Sequence, residues 1–283
     1  MFIFDNGDII PLKHSNVSPH NRSFRYGDGL FETMFMEEGR IPFLDKHLSR
    51  IERGMQILKI EIPNWNVNLI TNISRELSVL NAVESKAKVR LMVYRGGEGL
   101  YTPQHNQANF LIECNALTKH DFRLKKKGMN LGIYAEIPKN YTILSPFKTN
   151  NALPYILAGI YKKIHQKDEC ILFNQHARVA DAIYHNVWGI SDNKVMTPAI
   201  SEGGVAGVMR AVLLELLQEH KIEVVETELP LEVLCKCEEI WLSNAVNGIE
   251  WVDNFEGKNY QNKLAIRVSS LLAKKVMEKL NNS

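Results

Sequence analysis

A mixed α/β fold in two domains follows from three observations on this 283-residue sequence. Apolar runs of strand length alternate with amphipathic segments of helical spacing along the whole chain. The length suits one large domain or two modest ones, each with material for a buried core. A charged, turn-prone stretch, LTKHDFRLKKKG at 117–128, interrupts the pattern and reads as a linker. It separates a smaller N-terminal α/β domain (1–116) from a larger C-terminal domain (129–283).

In the first domain, LFETMFM (30–36) is an apolar run of strand length, and Glu37, Glu38 and Gly39 supply the turn that ends it. Asp45 is placed to cap a helix over KHLSRIERGMQILKI, in which Leu48, Ile51, Met55 and Leu58 keep helical spacing. Residues 66–80 predict a second amphipathic helix, and KVRLMVYR (88–95) and NFLIECNA (109–116) predict strands. In the second domain, LGIYAEI (131–137) predicts a strand. ALPYILAGIYKKIHQ (152–166) predicts a helix that tolerates Pro154 in its first turn. Strands are expected at 169–174, 185–192 and 238–244, and helices at 208–220 and 263–280. The last helix carries Leu264, Val268, Leu271, Leu272, Val276 and Leu280 on one side, a face suited to packing on the core.

Composition narrows the class. Apolar residues make up 45% and charged residues 23%, which excludes a disordered or fibrous chain. With 34 Lys+Arg against 32 Asp+Glu and no basic block, nucleic acid is not an expected partner. No run reaches the roughly 18 apolar residues of a membrane span, so no membrane partner is expected either. Asp5 and Asp8 interrupt any N-terminal apolar segment of leader length. Four cysteines at irregular spacing do not form a disulfide framework, and the Cys235–Cys237 pair lacks a second pair at metal spacing. A reduced, cytoplasmic protein with no metal site is the expectation.

Four segments stand out, each open to a plain reading. GGVAGVMR (203–210) runs into an apolar helix; small residues there admit an anion to the helix N-terminus, and a simple loop-to-helix turn fits as well. The preceding MTPAISE lacks a buried-strand pattern, which separates the segment from a dinucleotide fingerprint. SPFKTNN (145–151) places Lys148 at the end of an extended segment near a helix start. Positive potential and burial there would free its amine as a nucleophile, although most lysines are simply solvated. RYGDGLFET (25–33) is a sharp turn delivering a strand, and HLSR (47–50) puts a His and an Arg on a core-facing helix. Phe24, Tyr26, Phe31, Tyr94, Arg95 and Tyr101 fit a pocket or ordinary packing equally.

In order along the chain, YGDGLFET, HLSRI, FKTNNALPYILA, DAIYHNV, TPAISEGGVAGVMR and WLSNAVNGIEWV resemble the class-IV aminotransferase family from about residue 22 to 252. The resemblance implies the two-domain fold type IV, like that of D-amino-acid aminotransferase, with pyridoxal 5'-phosphate as cofactor in the C-terminal domain. It implies that Lys148 holds the cofactor as a Schiff base and then moves protons. Val208 and Met209, with Gly207 beside them, would offer backbone N–H groups to the phosphate, and Arg50 would be its charged partner. Asn244 and Ala245 would close the same cup, Val205 would pack on the pyridine ring, and Asn186 would organise the ring-nitrogen side. The acid beside the ring nitrogen is usually Glu, five residues before that Asn; here it is Asp181. Met209 stands where the family's aminotransferases usually have Thr, so a hydroxyl donor is lost while the backbone donors remain.

The family includes branched-chain and D-amino-acid aminotransferases and 4-amino-4-deoxychorismate lyase. GVAGVMR and SNA (243–245) resemble the lyase forms, whereas LPYILA after Lys148 also resembles D-amino-acid aminotransferases. The resemblance thus implies an enzyme acting on a small-molecule amine: the lyase first, an amino-acid aminotransferase as the alternative. It also implies a homodimer with the active site between the domains.

Overall fold

The computed structural model describes residues 1–83, 85–117 and 121–281; Thr118, Lys119 and His120 of the expected linker lie outside the described residues. The chain separates into two compact units. One comprises Met1–His120, Phe147–Asn151 and Glu278–Ser283; the other comprises Asp121–Pro146 and Ala152–Met277.

The first unit is built on a sheet of β1 (Phe2–Asp5), β2 (Asp8–Pro11), β3 (Gly29–Glu37), β4 (Lys86–Arg95) and β5 (Ala108–Ala116), in the order β2-β1-β5-β4-β3. Every pairing in it is antiparallel. The strands alternate as a one-sided sheet requires: Ala87, Val89, Leu91 and Val93 are buried, with Leu30, Met34 and Met36 on the strand alongside. Helices α1 (Arg22–Tyr26), α2 (Leu44–Leu58) and α3 (Val67–Leu80) accompany the sheet. Leu48, Ile51 and Met55 of α2 and Ile70, Ile73 and Leu77 of α3 complete the core, each contributing about 1.5–3 kcal/mol by burial. Asn66 caps α3 by accepting the Leu69 N–H at 2.9 Å. The cap of α2 differs from the expected Asp45. Phe43, in the left-handed region at φ 59°, makes the turn, and Asp45 lies inside the first turn. Burial of the Phe43 ring sets that entry in place of a side-chain hydrogen bond.

The second unit holds β6 (Met129–Tyr134), β7 (Glu169–Phe173), β8 (Val179–Ala182), β9 (Asn186–Ser191), β10 (Lys194–Pro198), β11 (Val224–Thr227), β12 (Glu239–Asn244), β13 (Gly248–Phe255) and β14 (Lys258–Asn259). Its helices are α4 (Leu153–Ile164), α5 (Val208–Glu219), α6 (Leu231–Lys236) and α7 (Lys263–Asn281). The sheet order is β11-β10-β9-β12-β13-β6-β7-β8, with β14 paired to β13. Parallel pairs join β10 to β11, β13 to β6 and β6 to β7. The apolar side of α7 is buried at Ala265, Val268, Leu272, Val276 and Leu280, as the helical spacing predicts. MTPAISE departs from expectation. Its first three residues end β10, with Thr197 and Pro198 buried, and a single 3₁₀ turn at Ile200–Glu202 leads into the glycines. The polar Thr197 hid that strand; its hydroxyl donates to the Val187 carbonyl at 2.8 Å.

Candidate active site

The expected site residues fall into two clusters, one in each unit. In the first unit, Lys148 lies beside the edge strand β3. The Phe31 N–H donates to the Lys148 carbonyl at 2.8 Å, and the Asn150 N–H donates to the Gly29 carbonyl at 3.0 Å. Gly29 is required there, because an added Cβ would lie 2.5 Å from the Val93 carbonyl and 2.7 Å from the Asn150 amide nitrogen. Gly27, left-handed at φ 65°, ends α1 and turns the chain into the strand. The Lys148 ammonium stands 5.1 Å from the centre of the Phe31 ring, and Arg90 stacks at 4.1 Å from the same ring.

Arg50 and His47 project from α2 onto Glu32 of β3, and all three are buried. Arg50 Nε donates to Glu32 Oε1 at 2.7 Å and its Nη2 to Oε2 at 2.5 Å; His47 Nδ1 is 2.7 Å from Oε2. Burial works against the Glu32 charge, but Arg50 and His47 outweigh it and draw its carboxyl down to about 2. Burial lowers His47, with Arg50 and Lys148 adding to the effect against the pull of Glu32. His47 meets Glu32 through Nδ1, and the Arg50 charge is matched by the carboxylate. Glu32 was not among the expected site residues. Its signal was present in the sequence, because an acid at the alternation position of Leu30, Met34 and Met36 points into the core and demands a cation.

In the second unit, β8 and β9 are joined by a tight loop that brings Asp181 and Asn186 together. Asp181 Oδ1 accepts from Asn186 Nδ2 at 3.1 Å; Oδ2 accepts from the Val205 N–H at 3.0 Å and the Tyr155 hydroxyl at 3.2 Å. Asn186 Nδ2 also donates to the Val205 carbonyl at 2.8 Å. The shorter Asp side chain is thus met by a backbone donor from the 203–207 loop, a geometry that holds an ionised carboxylate. Tyr155 rises well above its ordinary value through burial and the Asp181 charge, so it remains a donor.

Gly207 is the N-cap of α5 and supplies no side-chain cap, so the N–H groups of the first turn, from Val208 and Met209 onward, face outward from the helix start. A Cβ on Gly207 would collide with Asn186 Oδ1, and one on Gly204 would lie 2.5 Å from the Ala180 carbonyl. The loop therefore lies flat against β8 and β9. Met209 is buried. On β12, Ser243 pairs with Asn186 across the strands, which puts Asn244 and Ala245 at the same end of the sheet. Asn244 Oδ1 accepts from the Val246 and Asn247 N–H groups at 3.0 and 2.7 Å and shapes that turn.

The loop between β8 and β9 is fixed by a buried ion cluster. His185 Nδ1 is 2.7 Å from Glu169 and Nε2 is 2.9 Å from Glu250, which also takes Lys125 at 2.6 Å. Burial opposes charge on His185, but the two carboxylates win and raise it. Three of the pocket candidates serve structure or face solvent instead. Phe24 and Tyr101 are exposed, and Arg95 is spent on Asp28 at 2.9 Å and the Leu58 carbonyl at 2.6 Å.

The family model for amino-transferase class IV matches residues 29–254. The chain is 27% identical to the aminodeoxychorismate lyase of Vibrio harveyi over 263 residues, 92% of this chain and 94% of that protein. Its fold matches the branched-chain aminotransferase of Thermoproteus uzoniensis with norvaline at a TM-score of 0.89, 18% identity, and 99% and 95% of the two chains. It also matches a T.th. branched-chain amino acid aminotransferase with pyridoxamine 5'-phosphate, at a TM-score of 0.84, 18% identity, and 98% and 94% of the chains.

Proposed function

We propose that this chain, which belongs to the amino-transferase class IV family, is a pyridoxal 5'-phosphate enzyme that cleaves 4-amino-4-deoxychorismate to p-aminobenzoate and pyruvate. The observation that carries the cofactor reading is Asp181, a buried carboxylate with three donors, in the same unit as a helix start that has no side-chain cap. These residues fit the group: the carboxylate suits a protonated ring nitrogen, the α5 terminus suits a phosphate, and Lys148 supplies an amine. The lyase reading draws on likeness to the Vibrio harveyi enzyme across nearly the whole chain and on the GVAGVMR and SNA segments.

When bound, the cofactor supplies an electron sink for the substrate carbon that carries the amine. Lys148 would hold the group through its amine, and as a free amine it would take the proton from that carbon. Asp181 would hold the proton on the ring nitrogen, and Asn186 keeps that carboxylate in place. The N–H groups of Val208 and Met209 would take the phosphate, Asn244 and Ala245 would close the cup, and Val205 would pack on the ring. Arg50, its charge already matched by Glu32, is assigned to the phosphate by the family resemblance. In the substrate the enolpyruvyl C–O bond breaks as the ring becomes aromatic, and the released enolpyruvate takes up a proton to give pyruvate.

The assay is holoprotein with aminodeoxychorismate and no keto acid. Formation of p-aminobenzoate and pyruvate in equal amounts is expected, and is lost in Lys148→Ala. If neither product forms while L- or D-amino acids convert the cofactor to its amine form, the protein is an amino-acid aminotransferase.

The enzyme is a cytoplasmic homodimer in this reading. Leu153, Ile156, Leu157, Ile160 and Ile164 make an apolar stripe along α4, each 39–70% exposed. A contiguous stripe of that kind marks a contact surface, and a second copy of the chain is the occupant the family implies.

A further inference from the structure

Lys139 is a buried cation that the roles above leave unused. It follows β6, and its backbone N–H donates to the Phe173 carbonyl at 2.7 Å, which fixes it against the sheet. Its ammonium donates to the Gly203 carbonyl and stands 5.7 Å from the centre of the Tyr155 ring. Tyr155 passes its hydroxyl hydrogen bond to Asp181, and the loop begun by Gly203 delivers the Val205 N–H to the same carboxylate oxygen. Gly203 is left-handed at φ 95°, and a Cβ there would sit 2.9 Å from the Lys139 carbonyl, so the two backbones lie in contact.

The charge balance singles out one partner. Glu202, next to Gly203, is engaged by Arg178 at 2.6 Å and by Asn174 at 2.8 Å. Burial works to strip the Lys139 proton, and the Asp181 charge opposes it. A buried ammonium with a carbonyl acceptor needs a nearby anion, and Asp181 provides it.

We infer that Lys139 is a positioning residue for Asp181: its charge offsets the carboxylate, and its hold on Gly203 seats the loop that completes the carboxylate's donors. The inference rests on the reading of Asp181 as the ring-nitrogen partner. Lys139 thereby sets how acidic the bound cofactor is, without touching substrate.

The test compares Lys139→Met and Lys139→Arg, each alone and with Asp181→Asn, all loaded with pyridoxal 5'-phosphate. The readouts are the pH midpoint of the visible absorption and the thermal unfolding of the cofactor-free protein. Removing the cation that offsets the carboxylate should raise the midpoint by about one unit in Lys139→Met. Lys139→Arg should stay within about 0.3 unit of the parent, since the charge is kept. With Asp181→Asn, the Met substitution should shift the midpoint by less than about 0.3 unit, because the two act through one carboxylate. A lower unfolding temperature with an unmoved midpoint, or the same shift with and without Asp181, overturns the inference. Should Lys139→Met fail to fold, Lys139→Gln carries the same expectation. A parent protein with no visible cofactor absorption overturns the cofactor reading itself, a distinct result.

Discussion

Asn186 donates its side-chain amide to Asp181 at 3.1 Å and to the Val205 carbonyl at 2.8 Å, so one amide ties the carboxylate to the loop ahead of α5. The carboxylate's charge, rather than its shape, is what the proposed chemistry needs. Asp181→Asn keeps the shape and an acceptor oxygen, so the variant should fold with an unfolding temperature near that of the parent. Its turnover should fall by about 10²–10³-fold. Steady-state kinetics beside thermal unfolding check this; undiminished turnover removes Asp181 from the site.

The glycine at the head of α5 gives a second expectation. Gly207 has ordinary dihedrals for any residue, φ −61° and ψ 136°, so strain does not require it. Space does, because a methyl group collides with Asn186 Oδ1. Gly207→Ala should displace Asn186 and weaken cofactor binding at least about tenfold, at a stability cost of about 1–3 kcal/mol. Equilibrium titration with cofactor decides; unchanged affinity contradicts the phosphate-end assignment.

Stability should peak near pH 6.5. His185 is raised above its ordinary 6.5 in the fold, so its contribution is full below that pH and is lost as pH rises through the raised value. His47 is lowered from 6.5, so stability also falls as pH drops below that value. Glu32, drawn from 4.5 to about 2, adds about 3 kcal/mol that is lost as pH falls across that span. Glu250, also drawn to about 2, steepens the same limb. Urea midpoints between pH 3 and 9, of order ten points, trace the curve. His185→Asn should flatten the alkaline limb and also weaken the share of the acid limb that Glu250 supplies, because His185 is what chiefly holds that carboxyl down; a retained alkaline limb contradicts the imidazolium assignment.

The α4 stripe gives an association test. Ile156→Glu with Ile160→Glu puts two charges on the exposed apolar face, so the pair should yield monomer at micromolar concentration while the secondary structure is retained. Light scattering after size exclusion reads the mass directly. A parent protein that is already monomeric, or a variant that still dimerises, argues against α4 as the contact.

The elements that sequence alone made legible are those with a strong period. The alternation through Val89, Leu91 and Val93, and the helical spacing of Leu48, Ile51 and Met55, each reflect a single buried face. The strand ending at Pro198 was hidden because Thr197 is polar yet buried, its hydroxyl satisfied by a backbone carbonyl that no local pattern reveals. The cap of α2 was misplaced for a related reason: Phe43 turns the chain by burying its ring, and no polar capping residue marks the spot. Among the candidate site residues, Lys148, Asp181, Asn186 and the 203–210 loop were visible as ordered motifs. Glu32 carried a signal as an acid on an apolar strand face. Lys139 and Tyr155 carried none, since their meaning comes only from Asp181, 26 residues beyond Tyr155 in the chain.

The central claim is that Lys148 carries the cofactor. Holoprotein reduced with borohydride, digested and read by mass spectrometry tests it most directly. The phosphopyridoxyl group is expected on the peptide containing Lys148, at that residue, and on no other lysine. A label on Lys139 or elsewhere, or no label on a protein that binds the cofactor, would contradict the account.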